Sequence, residues 1–280
     1  MSAMRAEAVW RRGLFFGRMY EDWAIEDEVL PSGRVLCVAS AGDTAFALAG
    51  HGRDVTSVDV SAAQVEYVQA RIAGAPPRDG RAERVLRVLR AAGAAAGWTR
   101  ARLRAFCELD DPDAQLRFFT RELDTARFRV ALALLFRTPA LLPAYGALLR
   151  ALPPRFDFLL HARLRRGFAR HPNRTNPWAR SLLLDEQPDV TPQPITVVRA
   201  EITSYLARSD AGTFDGFALS NVLDGSGSEE RLLAAVRAAA APGGAVLVLR
   251  SFAEPRTASE AEWAARDRSL LWGAVRVERL

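Results

Sequence analysis

The stretch Arg34-Val35-Leu36-Cys37-Val38-Ala39-Ser40-Ala41-Gly42-Asp43-Thr44 constrains this chain more than any other. A run of β-forming residues enters a turn of small residues, and an apolar, helix-like segment follows from Ala45 to Ala49. Roughly twenty residues beyond the turn, a second β-like run from Val55 to Val60 carries Asp59 near its end. Strand, small turn, helix, strand and acid form the plan of an α/β half-unit that binds a dinucleotide or nucleoside. The turn lets a ligand approach the backbone, and the helix N-terminus offers free N–H groups to a carboxylate or phosphate. The acid can accept hydrogen bonds from two ribose hydroxyls.

A G-x-G-x-x-G fingerprint is absent, and Ala39, Ala41 and Gly42 supply the small positions. Alanine does not readily take positive φ, which argues against a pyrophosphate cradle. S-adenosylmethionine (AdoMet) fits better, because it offers a ribose, a carboxylate and an ammonium but no phosphate. An ordinary βαβ unit without a ligand remains the alternative.

With 280 residues, 49% of them apolar, the chain can bury one large or two modest cores. It has no apolar leader with a cleavage site and no apolar span of membrane length. Cys37 and Cys107 form neither a metal motif nor a disulfide framework, so a reducing cytoplasm is the expected setting. His51, His161 and His171 show no metal-pair spacing, and no metal is expected. All 38 basic side chains are arginine, and the net charge is +5. Charge alone names no partner. Nucleic acid is not expected; peripheral contact with an anionic membrane and a plain solvated surface both stay open.

Met1 to Arg18, with Trp10, Arg11, Arg12, Leu14, Phe15 and Phe16, reads as a helix that packs on the domain or lies at an interface. Tyr20-Glu21-Asp22-Trp23 is either a solvated helix end or a lid over the ligand. Ser61-Ala62-Ala63-Gln64 reads as a capping box opening a helix that Gly74-Ala75-Pro76-Pro77 stops. From Arg78 to Pro194 the βα alternation is lost and apolar residues recur at helical spacing, as in Leu116, Phe119, Leu123 and Phe128, Leu132, Leu135. Pro112, Pro139 and Pro153-Pro154 mark helix starts or breaks. Leu132 to Phe136 and Leu141 to Leu152 can line an apolar pocket or form the segment's own core. His171 to Trp178 is a polar, two-proline loop.

The βα pattern then resumes. Strands are expected at Ile195–Val198, Phe214–Leu219, Ala245–Leu249 and Gly273–Arg279, with helices from Glu201 to Leu206 and from Glu229 to Ala240. The fold class read from this pattern is α/β, a Rossmann-like sheet with a large helical insertion between the second and third strands; the resemblance that follows implies a sheet of the class I methyltransferase type. Residues 1–74 and 195–280 are expected to form the AdoMet-binding domain, and 75–194 the helical insertion and acceptor-binding region.

These segments resemble AdoMet-dependent class I methyltransferase-like proteins: Pro242-Gly243-Gly244 precedes an apolar strand, and Glu201 occupies the place of the acid near adenine. The chain resembles more closely the AdoMet:diacylglycerol 3-amino-3-carboxypropyltransferases of betaine-lipid synthesis and their relatives. The resemblance rests on Tyr20 to Trp23; on Val38 to Asp43 with Val58-Asp59-Val60 and Gln64; on Leu219-Ser220-Asn221-Val222-Leu223-Asp224; and on Asp267-Arg268-Ser269-Leu270, with Asn176-Pro177-Trp178 weaker. Thr44 stands where that family usually has asparagine, and Trp23 follows the acids instead of preceding them.

The resemblance implies transfer of the aminocarboxypropyl arm of AdoMet to an acceptor, a lipid hydroxyl such as diacylglycerol's or a small molecule, with release of methylthioadenosine. Methyl transfer to a small molecule is the alternative. Cofactor contacts are expected from Ser40, Ala41, Gly42, Asp43, Asp59, Val60, Gln64, Glu201, Ser220 and Asn221. Tyr20, Asn176, Arg250 and Arg268 are expected to bind substrate, the arginines holding the AdoMet carboxylate. Asp22 or Asp224 is the expected general base.

Overall fold

The structure, a computed structural model, describes residues 13–137, 152–225 and 227–280. Six strands, β1 (Arg34–Val38), β2 (Asp54–Asp59), β3 (Thr196–Arg199), β4 (Gly216–Ala218), β5 (Val246–Ser251) and β6 (Ala274–Arg279), form one sheet in the order β3-β2-β1-β4-β5-β6. All neighbours are parallel except β6, which runs antiparallel to β5. The architecture is α/β and compatible with a Rossmann-like fold. From β1 the chain goes to β2 on one side, while β4 pairs on the other. The order therefore reverses between β1 and β4, and a crevice opens at their C-terminal ends.

Burial of β1 on both faces explains its continuous apolar run. Val35 and Cys37 pack with Ala45, Leu48 and Val248 on one face, while Leu36 packs with Phe217, Leu247 and Val236 on the other. The alternation follows from the period of two along a strand.

Four helices accompany the first two strands and open the next stretch: α1 (Ala24–Val29), α2 (Asp43–Gly50), α3 (Ala62–Ile72) and α4 (Arg81–Ala95). Between β2 and β3 there follow α5 (Arg100–Cys107), α6 (Pro112–Phe118, continued by a π turn over Phe119–Leu123), α7 (Ala126–Arg137), α8 (Phe156–Phe168) and α9 (Pro177–Leu184). Pro112 and Pro177 sit in the first turns of α6 and α9, where Asp111 and Asn176 cap the free N–H groups. These helices share a core of their own, in which Trp98 stacks on Phe128 at 4.1 Å between ring centroids. Leu270 from near the C-terminus joins that core. The remaining helices are α10 (Ile202–Leu206), α11 (Glu229–Ala239) and α12 (Ala258–Arg266). Among the described residues no helix is long and apolar enough to cross a membrane.

Two local expectations need correction. Residues 13–18 are not helical but form a strap. The strap's carbonyls at Leu14 and Phe15 accept the Arg81 and Ala82 N–H groups, so they cap α4. The rest of that expected helix, residues 1–12, lies outside the described residues, as does most of Leu141–Leu152. Ser61 precedes α3 without a side-chain cap, and Gln64 turns away from it. Gln64 Oε1 accepts from Phe15 N at 2.7 Å and Phe16 N at 3.1 Å, and its Nε2 donates to Ser40 O at 2.6 Å. The strap offers paired donors and acceptors that a local cap lacks.

Candidate functional site

The crevice at the strand ends continues into a cavity of about 1630 Å³. Its polar end is built by the turns after β1, β2, β3 and β4. Gly42 enters α2 at φ 93°, and a Cβ there would lie 2.8 Å from the Phe46 ring, so this position needs glycine for conformation and for space. Ser40 and Ser220, which follow the two strands at the reversal, both sit in the left-handed region, at φ 43° and φ 50°. Such backbone costs on the order of 1–3 kcal/mol and persists where the surroundings impose it, typically at functional sites.

Asp59 stands at the end of β2 with Oδ2 accepting from Ser40 N at 3.1 Å and Oδ1 from Ser61 N at 2.8 Å. Burial pushes its carboxyl up to about 6, against the pull of these backbone donors. Ser40, Asp59, Val60, Gln64, Glu201, Ser220 and Asn221 line the cavity, as do Tyr20 and Asp224. Glu201 also caps α10, accepting from Thr203 N at 2.9 Å and Ser204 N at 2.7 Å, and these donors hold its carboxyl below the usual range although burial opposes them. The Tyr20 hydroxyl donates to Glu83 at 3.2 Å, and burial with that carboxylate raises its pKa strongly.

The other expected site residues stand behind this wall and not on it. Ala41 is fully buried; its carbonyl accepts from Arg71 at 2.6 Å, and Asp43 accepts from Arg71 at 2.5 Å and from Met19 N at 2.6 Å. Asn176 caps α9 and donates to Arg268 O at 2.9 Å. Arg268 binds Asp22 through Nε at 2.6 Å and Nη2 at 2.9 Å and lies 4.3 Å from the centre of the Trp178 ring. Asp22 is almost fully buried in that pair and also accepts from Ala24 N at 3.2 Å. Arg250, fully buried, gathers Glu26, Asp267 at 3.0 Å and Glu21 at 3.4 Å, and donates to Asp22 O at 2.9 Å. Its geometry makes it the hub of a buried ion network, with the carboxylates raising its pKa despite burial.

Glu21 is the acid that sequence reasoning passed over. Of two adjacent acids only Glu21 faces the cavity, and no sequence pattern tells neighbours in an irregular segment apart. Its Oε1 accepts from Ser220 Oγ at 2.5 Å. Burial, with Glu26 and Asp267 nearby, pushes its carboxyl up to about 7 against the opposing charge of Arg250.

Away from the strands the wall turns apolar. Leu86 and Leu89 of α4, Leu132 and Leu135 of α7, and Leu160 and Leu164 of α8 line this end, with Trp98 and Phe128 at its side. The arrangement can hold a polar nucleoside at the strand ends and an apolar chain between the helices. No family model, no curated protein and no solved structure matches this chain.

Proposed function

We propose that the chain is an AdoMet-dependent transferase of the 3-amino-3-carboxypropyltransferase type, acting on an acceptor that carries a long apolar segment. One observation carries this reading: a single cavity joins Ser40, Asp59 and Ser220 at the strand ends to the leucine-rich wall between α4, α7 and α8. Its volume of about 1630 Å³ exceeds the roughly 300–1,000 Å³ of an ordinary small-molecule site, leaving room for a second, large substrate beside the nucleoside.

In this reading Asp59 takes the ribose hydroxyls, and the turns at Ser40 and Ser220 with Asn221 take the amino-acid part. The helices from residue 75 to 194 act as an insertion that binds the acceptor. Sulfonium is already a good leaving group, so alignment of the acceptor supplies much of the rate. The resemblance of Tyr20–Trp23, Val38–Asp43 and Leu219–Asp224 to the betaine-lipid enzymes supports transfer of the aminocarboxypropyl arm and a glycerolipid hydroxyl as acceptor.

Incubation with AdoMet labelled in that arm, together with a lipid extract, tests the proposal. Methylthioadenosine and a labelled lipid are expected. S-adenosylhomocysteine as the nucleoside product would replace the reading with methyl transfer. Absence of AdoMet binding by calorimetry would overturn both.

A further inference from the structure

We propose that Glu21 is the proton acceptor of this transfer, a role that rests on the aminocarboxypropyl-transfer reading. Four carboxylates line the cavity among the described residues: Glu21, Asp59, Glu201 and Asp224. Asp59 stands between two backbone N–H groups at the nucleoside end, and Glu201 is committed to the N-terminus of α10. Asp224 is surrounded by donors: Ser251 Oγ at 2.5 Å, Phe252 N at 2.9 Å and Asn221 Nδ2 at 3.3 Å. Each would have to be given up, or weakened, for that carboxylate to take a proton.

Glu21 is differently placed: among the described residues, besides Arg250 at 3.4 Å it accepts only from the Ser220 hydroxyl at 2.5 Å, a donor that can rotate away as a backbone N–H cannot. Arg250 is shared by three carboxylates, and Glu26 and Asp267 hold it more closely than Glu21 does. The charged groups around Glu21 are Arg250 from β5, Glu26 from α1, Asp267 beyond α12, and Asp22, which Arg268 already neutralises. Three carboxylates against one guanidinium leave surplus negative charge beside the cavity. Burial and this surplus keep Glu21 basic, near the neutral range where a general base works best.

A bound sulfonium near Glu21 favours its carboxylate form. The acceptor hydroxyl oxygen then forms a bond to the carbon next to sulfur in the aminocarboxypropyl arm. The carbon–sulfur bond breaks with its electron pair going to sulfur, methylthioadenosine leaves, and the hydroxyl proton passes to Glu21. Loss of the positive sulfonium raises the basicity of Glu21 as the proton arrives, so charge transfer and proton transfer reinforce each other.

The test uses the full chain, AdoMet and the acceptor fraction that takes up label. Glu21→Gln removes the base but keeps the size of the side chain. It is expected to bind AdoMet within a few-fold of wild type and to turn over at least about a hundredfold more slowly, the scale of general-base catalysis. Wild-type kcat/KM should rise with pH and level off above about 7. Ser220→Ala provides a second readout: loss of the hydroxyl donor should move that acid limb to higher pH. A Glu21→Gln enzyme with wild-type rate and pH profile would overturn the role of Glu21 alone. So would a loss of AdoMet affinity equal to the loss of rate, since Glu21 would then be holding the cofactor. Wild-type protein that forms no methylthioadenosine would overturn the underlying reading with it.

Discussion

Asp59 reaches from the end of β2 to the turn after β1 and accepts the Ser40 amide hydrogen at 3.1 Å. This contact fixes the acid before any ligand arrives and braces Ser40 in its left-handed conformation. It links the two features that the sequence offered separately, the small-residue turn and the acid at the end of the second strand.

Ligand affinity should therefore depend on the charge of Asp59. Its carboxyl is pushed up to about 6 by burial, and under the proposed function the carboxylate form is the one that would accept from both ribose hydroxyls. Methylthioadenosine has no ammonium or carboxylate, so it reports on this end of the cavity alone. Its dissociation constant by calorimetry should weaken about tenfold from pH 8 to pH 5, the factor expected for a group titrating near 6. An affinity flat across that range would remove the ribose role.

Glu21 should make the protein less stable as the solution becomes more alkaline. Its ordinary value is 4.5 and its folded value about 7, so between these the folded state holds the extra proton. Stability thus falls as pH rises from about 4.5 to about 7. Urea denaturation of wild type and Glu21→Gln at pH 5 and pH 8 checks this. The wild type should lose ground to the variant at the higher pH, whereas parallel curves would contradict it.

Gln64→Leu should loosen the strap. The change removes the side-chain oxygen that accepts from the Phe15 and Phe16 N–H groups and the amide that donates to the Ser40 carbonyl. Removing a hydrogen-bond partner from a buried polar group costs about 1–3 kcal/mol, and unfolding midpoints should show a loss of that size. AdoMet affinity should fall with it, because Ser40 belongs to the cavity wall.

Leu135→Trp should separate the two ends of the cavity. Leu135 lies on the apolar wall, on the face of α7 that also carries Leu132 and Phe128. A larger ring there should lower transfer to long-chain acceptors by about tenfold or more, the cost of overpacking an apolar site. AdoMet affinity should stay unchanged in the same preparation, and equal losses of both would argue against a divided cavity.

Gly167→Ala tests how the helical core meets the C-terminal segment. A Cβ at Gly167 would fall 2.1 Å from Leu270 Cδ2, and Leu270 already holds a left-handed φ of 71°. Overpacking of this kind costs about 1–3 kcal/mol, readable as a lower thermal midpoint. An unshifted midpoint would mean that Leu270 can move aside.

The sequence by itself determined the strands, their approximate limits and the long helical stretch between the second and third, because burial on both faces of β1 demands a continuous apolar run and helix packing demands apolar residues every third or fourth place. It also singled out Ser40, Asp59, Ser220 and Asn221, since turns at strand ends carry a recognisable run of small and polar residues. Only the tertiary structure decided which acid of Glu21-Asp22 faces the cavity, that Arg250 and Arg268 spend their charge on buried carboxylates, and that Gln64 clamps a strap instead of capping its own helix. These outcomes depend on partners 17 to 246 residues away in the chain or on the direction of a side chain in irregular backbone. Neither leaves a local pattern, because the energy of a buried charge is set by whatever the fold brings beside it.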